Sequence, residues 1–302
     1  MIVVAQAITQ YKSEGEHEMK VQRHKKDEVM SRLRDKVASG KSLFVAACGT
    51  GLVAKMLEKA GADFICTFPG ARLRSNGFGT MAMFWPMLDG NGDLFEYTSR
   101  DILPAINGDA CVLTCINGND LLRDMVVFLE KLKSIGVVAV SHAPSIGFYE
   151  KNTEMYRVLT KAGITLDREI EMLTLAKEMD FITFGQPFNI EDAHRIMEQA
   201  QPDAFMFHAG TTKGGLMGFD TPDTIEDTAR RSEEAFRVAL EYNPDVLLFA
   251  HGAAMETPED AQYILDHTSC QGVWTGSATE RIPIENAILE VAGRFASLRV
   301  KH

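Results

Sequence analysis

The chain has 302 residues, 45% of them hydrophobic and 24% charged, which is the balance of an ordinary globular protein with a substantial core. A formal net charge of −11 argues against nucleic acid as a partner and against docking on anionic membranes. The five cysteines (Cys48, Cys66, Cys111, Cys115 and Cys270) form no CxxC and sit in or beside apolar runs, so they are expected to be buried free thiols in a reducing compartment, with the cytoplasm as the default location.

The opening MIVVAQAITQ is apolar, but the charged run KSEGEHEMKVQRHKKDEV follows it, a pattern that suits neither a signal peptide nor a membrane span. Residues 1 to about 30 read as a loosely held arm. Val29, Met30, Leu33 and Val37 fall at helical spacing and predict a helix fit to close the bottom of a barrel. The expected division is an N-terminal arm and helix over 1–40 and a barrel domain over 41–302.

From Ser42 onward, strand-like apolar runs recur at Leu43–Ala47, Phe64–Phe68, Cys111–Ile116, Val137–Val140, Phe181–Phe184, Ala204–Phe207, Val246–Phe249 and Gly272–Trp274. Helical patterns lie between them: Leu52–Ala60, Ile102–Ile106, Leu122–Leu132, Ile170–Met179, Ile190–Ala200, Ile225–Leu240, Glu259–Asp266 and Ile284–Phe295. The next-to-last of these is expected to start on a Thr257 cap with Pro258 at its first position. Alternation of short continuous apolar strands with helices means a parallel sheet covered by helices, and eight such units predict an α/β, (β/α)8 TIM barrel. An open doubly wound sheet is the alternative, because the pattern alone does not show closure.

In such a barrel the site lies where the strands end. Gly49, Thr50 and Gly51 lead straight into a helix, a place for an anion or simply a tight turn. Arg72 and Arg74, read as lying in an extended glycine-rich loop, would point the same way and clamp an anionic group. His208 and His251 end neighbouring strands, which suits proton transfer or metal ligation. Thr211, Thr212, Lys213 and Gly214 resemble an anion cradle, and Gly252, Gly276 and Ser277 offer backbone N–H groups to a phosphate in the last two loops. Glu280 follows the last strand closely and is the candidate carboxylate. Asp120 and Asp124 read as helix-capping acids, and Glu169 and Glu171 as first-turn acids that offset a helix dipole. No DxD or ExD stands at a strand end to hold a hard cation.

GTGL at 49–52, ADFI at 62–65, GARLRSNGFGT at 70–80, RDM at 123–125, GTTKGG at 210–215, NPDVLLFAHGAAMETPEDAQYIL at 243–265 and GSATERIPIENAI at 276–288 resemble the phosphoenolpyruvate hydrolase-like family, also called the TIM-barrel signal transduction family. The resemblance covers nearly everything after residue 40. It implies a TIM barrel of the phosphoenolpyruvate/pyruvate-domain type, and it keeps Mg²⁺ as a candidate cofactor. Two positions depart from the family pattern: SHAPSIGFYE follows the fourth strand and brings His142 near the rim, and Cys48 stands where a smaller residue is usual.

Together these readings predict an enzyme acting on a small phosphorylated or carboxylated substrate of phosphoenolpyruvate type, by hydrolysis or C–C cleavage. His208, His251 and Glu280 are the candidate catalytic residues. The alternatives are a ligand-sensing barrel without turnover and a protein-interaction barrel that uses the long loops 69–93 and 141–166. A homo-oligomer is expected.

Overall fold

A computed structural model describes residues 24–84, 89–216, 218 and 221–300; most of the expected N-terminal arm lies outside these. Eight parallel strands, β1 (Leu43–Ala47), β2 (Phe64–Thr67), β3 (Cys111–Ile116), β4 (Ala139–His142), β5 (Ile182–Gly185), β6 (Ala204–His208), β7 (Leu247–His251) and β8 (Gly272–Thr275), pair in chain order. β8 returns to β1, with Leu43 opposite Gly272 and Val45 opposite Trp274. The barrel is therefore closed, and the open-sheet alternative is set aside. Later strands run one or two residues past the apolar runs, because each ends on a polar residue or a glycine that the hydrophobic pattern does not mark.

Eleven α-helices accompany the strands among the described residues: α1 (Lys26–Ala38), α2 (Gly51–Lys59), α3 (Pro69–Ser75), α4 (Gly90–Tyr97), α5 (Met125–Ile135), α6 (Glu154–Lys161), α7 (Leu166–Glu178), α8 (Ile190–Gln199), α9 (Ile225–Tyr242), α10 (Pro258–His267) and α11 (Arg281–Ala296). The helix expected over Ile102–Ile106 is instead a wide turn, Thr98–Ile102, followed by a 3₁₀ turn, Leu103–Ala105. Pro104, which lacks an N–H and clashes with the preceding turn, prevents an α-helical interior there. α10 begins in a reciprocal cap: Thr257 accepts from the Asp260 N–H at 3.1 Å, and Asp260 accepts from the Thr257 N–H at 2.8 Å.

Inward-facing strand residues fill the barrel. Phe64 meets Phe184 edge-on at 5.4 Å, and Phe184 meets Trp274 at 5.6 Å. Below them α1 turns Val29, Met30 and Leu33 into the same cluster, each contributing about 2 kcal/mol of burial. α1 is thus the floor of the barrel. Lys26 reaches Asp203 at 2.8 Å, and Lys36 reaches Asp63 at 2.6 Å. These aspartates in turn accept from the second residues of β5 and β1, Thr183 N at 2.9 Å and Phe44 N at 2.7 Å.

All five cysteines are buried free thiols. No described helix is long and apolar enough to cross a membrane. α11 buries little of its length. Arg281 is its one buried residue, while Ile288, Leu289 and Phe295 are 60%, 64% and 71% exposed. In a barrel of this order the eighth helix belongs between α10 and α2. On α2, Leu52 and Met56 are likewise exposed, while Ala54 and Leu57 face the barrel core.

Candidate active site

A cavity of about 80 Å³ opens at the carboxyl ends of the strands. Its deep wall is built by Arg74, His208, His251 and Gly276–Ser277, with Thr211 and Thr212 beside them and Trp274 below. Its mouth is apolar, formed by Met81, Met83, Phe84, Phe148 and Phe188.

The two histidines are direct neighbours because β6 and β7 pair His208 with His251. Their ring centroids lie 4.7 Å apart at 73°. His251 Nδ1 is 2.6 Å from the Trp274 carbonyl oxygen. A carbonyl only accepts, so Nδ1 carries the proton and Nε2 holds a free lone pair. Burial pushes the His251 pKa down to about 4, against the opposing pull of that carbonyl, so the ring is neutral near pH 7. His208 stacks on Phe188 at 4.4 Å, and its buried Nδ1 has no hydrogen-bond partner among the described residues. Burial, and then proximity to His251, hold it well below the usual histidine range. Both rings touch solvent through the cavity while protein surrounds them on the other sides, which is why desolvation outweighs their partial exposure.

The arginine segment differs from expectation. Residues 69–75 form α3, with Pro69 at the first position, rather than an extended loop. At about 100° per helical residue, Arg72 and Arg74 diverge instead of pointing the same way. Arg72 turns outward over Tyr97, donating to the Gly49 carbonyl and pairing with Asp101, both at 3.1 Å, and stays out of the cavity. Arg74 turns inward and is buried: Nε and Nη2 donate to Glu280 Oε2 at 3.0 and 2.6 Å, leaving Nη1 on the side of Thr80, at 3.3 Å. A Cβ built on Gly276 would lie 3.8 Å from both Arg74 Nη1 and His251 Cε1. Any side chain at 276 would enter the space between guanidinium and imidazole.

Glu280 is 2% exposed and does not line the cavity. Its Oε1 accepts from the Gly49 N–H at 2.6 Å and lies 3.3 Å from Ser75 Oγ. With Arg74 on Oε2, both oxygens are spent, so this carboxylate is an anchor for Arg74. Gly49, Thr50 and Gly51 form a packed turn outside the cavity. Thr50 caps α2, and added Cβ atoms on the two glycines would strike Ala71 O at 2.4 Å and Asp101 O at 2.2 Å. Gly252, at φ +84°, allows close passage of the loops after β6 and β7: its Cβ would sit 1.9 Å from Gly210 O. Gly214 packs on the Glu256 carboxylate, and Lys213 is exposed, so the cradle after β6 contributes only its threonines to the wall.

A second group escaped the sequence reading. Glu169 stands in the first turn of α7, as expected, but is fully buried. It meets His142 Nδ1 at 2.7 Å and accepts from Asn119 Nδ2 and the Ile146 N–H, both at 2.8 Å. His142 Nε2 accepts from the Gln186 N–H at 2.9 Å, so its proton is on Nδ1, directed at Glu169. The cluster ties down the loop carrying Ala143, Pro144 and Ser145, which line the cavity along with Gln186. The available signal was the position of Glu169 three residues after Leu166 and four before Leu173, on the buried face of α7.

Mg²⁺ binds through hard oxygen donors, usually with carboxylates among them. Among the described residues no carboxylate lines this cavity, Glu280 is fully engaged, and no cluster of three histidine, cysteine or acidic side chains is placed to hold a metal. The donor set does not fit Mg²⁺.

The architecture and this cavity define a (β/α)8-barrel protein with a recessed cation and neutral imidazoles where the strands end. The chain belongs to the phosphoenolpyruvate hydrolase-like family, which it matches over residues 28–298. It is 29% identical over 274 residues to the ToMV susceptible protein tm-1(GCR26) of Solanum lycopersicum, covering 90% of this chain and 36% of that protein. It is 24% identical over 277 residues to y4pA of Sinorhizobium fredii (strain NBRC 101917 / NGR234), a name assigned provisionally to transcriptional regulation, covering 91% of this chain and 44% of that protein. The chain thus spans less than half the length of either relative. Among solved structures it resembles a phosphonopyruvate hydrolase in complex with oxalate and Mg²⁺, with TM-score 0.57 and 15% identity over 89% of this chain and 87% of the other. That likeness concerns the fold.

Proposed function

We propose that the cavity is the active site of an enzyme acting on a small enol- or 2-oxo-carboxylate of phosphoenolpyruvate type. Arg74 Nη1, with the Gly276–Ser277 loop at the start of α11, holds the carboxylate. His251 Nε2 takes up and returns a proton, and the threonines at 211 and 212 offer hydroxyls to a further oxygen. Glu280 positions Arg74 and does not react. Hydrolysis and C–C cleavage both draw on these parts. The observation that carries the reading is the meeting of a fixed guanidinium and an imidazole with a free Nε2 across Gly276.

The test is turnover of phosphoenolpyruvate, phosphonopyruvate and oxaloacetate by the purified protein, followed by product release. His251→Asn should lower kcat by about 10²- to 10⁴-fold, the usual worth of a general acid–base group. Turnover unaffected by that substitution would remove His251 from the chemistry. A ligand-sensing role without turnover is favoured by the regulatory name of the y4pA relative. Thermal stabilisation by a carboxylate that is recovered unchanged would support it.

The apolar face of α11, uncovered among the described residues, and the open side of α2 together suit a second copy of this protein, with α11 of each covering α2 of the other. Leu289→Asp should shift the mass measured by light scattering from dimer to monomer. The five buried thiols fit a reducing compartment, for which the cytoplasm is our assignment.

A further inference from the structure

Three features of the same cavity narrow the choice of ligand. The first is charge. Arg74 is the one cation on the wall among the described residues, and Glu280 already shares its charge. The histidines add none while Nε2 of His251 remains a lone pair. A monoanion can be matched by the free edge of the guanidinium. A phosphate-bearing di- or trianion would bury charge with no partner, a desolvation that nothing on the wall offsets.

The second feature is the donor set, which lacks the carboxylates that would bring a divalent cation to balance such an anion. The third is the mouth. Phe84, Phe148 and Phe188 run in sequence, with ring centroids 4.9 Å and 5.8 Å apart, and Phe188 continues onto His208 at 4.4 Å. An apolar wall leads from solvent to the imidazole pair. A ligand that is only carboxylate, such as oxalate, leaves this surface wet. The cavity of about 80 Å³ would hold on the order of six waters, and bonded atoms lie closer together than waters do, so a ligand somewhat larger than pyruvate fits.

Taking the cavity to be the active site proposed for it, we infer that the site accepts a 2-oxo-monocarboxylate with a branched or aromatic apolar tail, its carboxylate on Arg74 and its tail along Phe148 and Phe188, and that it does so without a divalent cation.

The experiment is calorimetric titration of the full chain with 4-methyl-2-oxopentanoate, pyruvate, oxalate and phosphoenolpyruvate, each in chelator and again in excess Mg²⁺. The branched acid should bind with the same affinity in both buffers and about tenfold or more tighter than pyruvate, given the transfer free energy of its extra carbons. The double substitution Arg74→Met with Glu280→Gln removes both members of the buried pair. It should abolish binding while circular dichroism shows the barrel intact. Phe148→Ala, at a position 39% exposed and so tolerant of truncation, should weaken the branched acid toward the affinity of pyruvate and leave pyruvate unchanged. Binding that appears only with Mg²⁺, or a preference for oxalate or phosphoenolpyruvate, would overturn this inference and leave the anion site of the proposed function standing. Binding of none of the four acids in either buffer would remove both.

Discussion

The two ends of the barrel use the same chemistry to opposite purposes. At the amino end, Lys26–Asp203 and Lys36–Asp63 are cation–carboxylate pairs whose acids also accept strand N–H groups, so these polar atoms serve closure. At the carboxyl end, Arg74–Glu280 is also a cation–carboxylate pair, more deeply buried at 3% and 2% exposure, but one edge of its cation is left facing an open cavity. An ion pair thus locks one end and aims a charge at the other. What separates the two cases is what surrounds the cation: helix α1 and apolar floor below, cavity above.

The largest effect should come from splitting the upper pair. Arg74→Met leaves Glu280 charged, buried and short of two donors, and should cost about 3–5 kcal/mol in urea unfolding. The double variant with Glu280→Gln should recover most of that stability without recovering ligand binding. Equal losses in single and double variants would mean that Arg74 acts through packing on Phe68 rather than through charge.

A smaller effect sharpens the contrast through pH. The unfolded chain protonates His251 near its ordinary value of 6.5, whereas the folded chain resists protonation until about 4. Stability is therefore complete above about pH 6.5 and falls as the pH drops toward 4, by about 2 kcal/mol once partial exposure is discounted. His251→Asn should reduce the slope over this interval, leaving the part that comes from His208, whose charged form burial also disfavours. A slope of the same size in the variant would place the acid sensitivity elsewhere.

The closed end should respond in stability alone. Asp203→Ala removes the partner of Lys26 and of the Thr183 N–H and hydroxyl, for a loss of about 2 kcal/mol. Carboxylate affinity should stay as in the unsubstituted chain, and a parallel loss of affinity would erase the division of labour between the ends.

Much of this barrel was legible in the residues because each strand is a short continuous apolar run, a pattern that burial on both faces imposes. The neighbourhood of His208 and His251 followed from the same reading, since consecutive strands pair. The fate of Arg72 and Arg74 did not, because seven residues with Leu73 as the one large apolar side chain carry no periodicity to betray α3. α6 did carry a signal, since Met155, Tyr156, Val158 and Leu159 recur at helical spacing, but its eight residues were read as part of the loop 141–166. Pairing of Arg74 with Glu280 joins positions 206 residues apart, and no local rule connects them. Glu169 does stand in the first turn of α7, as read, but the ordinary explanation for an acid there, the dipole, hid its burial against His142. Its apolar neighbours one turn either way told against that explanation.

α1 also sets an order of events during synthesis. It leaves the ribosome before any strand, yet Lys26 waits for Asp203, 177 residues further on, and Val29, Met30 and Leu33 have no barrel to fill until then. At roughly 5–20 residues per second the delay is about 10 to 35 seconds. Through that interval α1 presents a bare apolar face to whatever else is present, and a helix made ahead of the strands it packs on seats only after them.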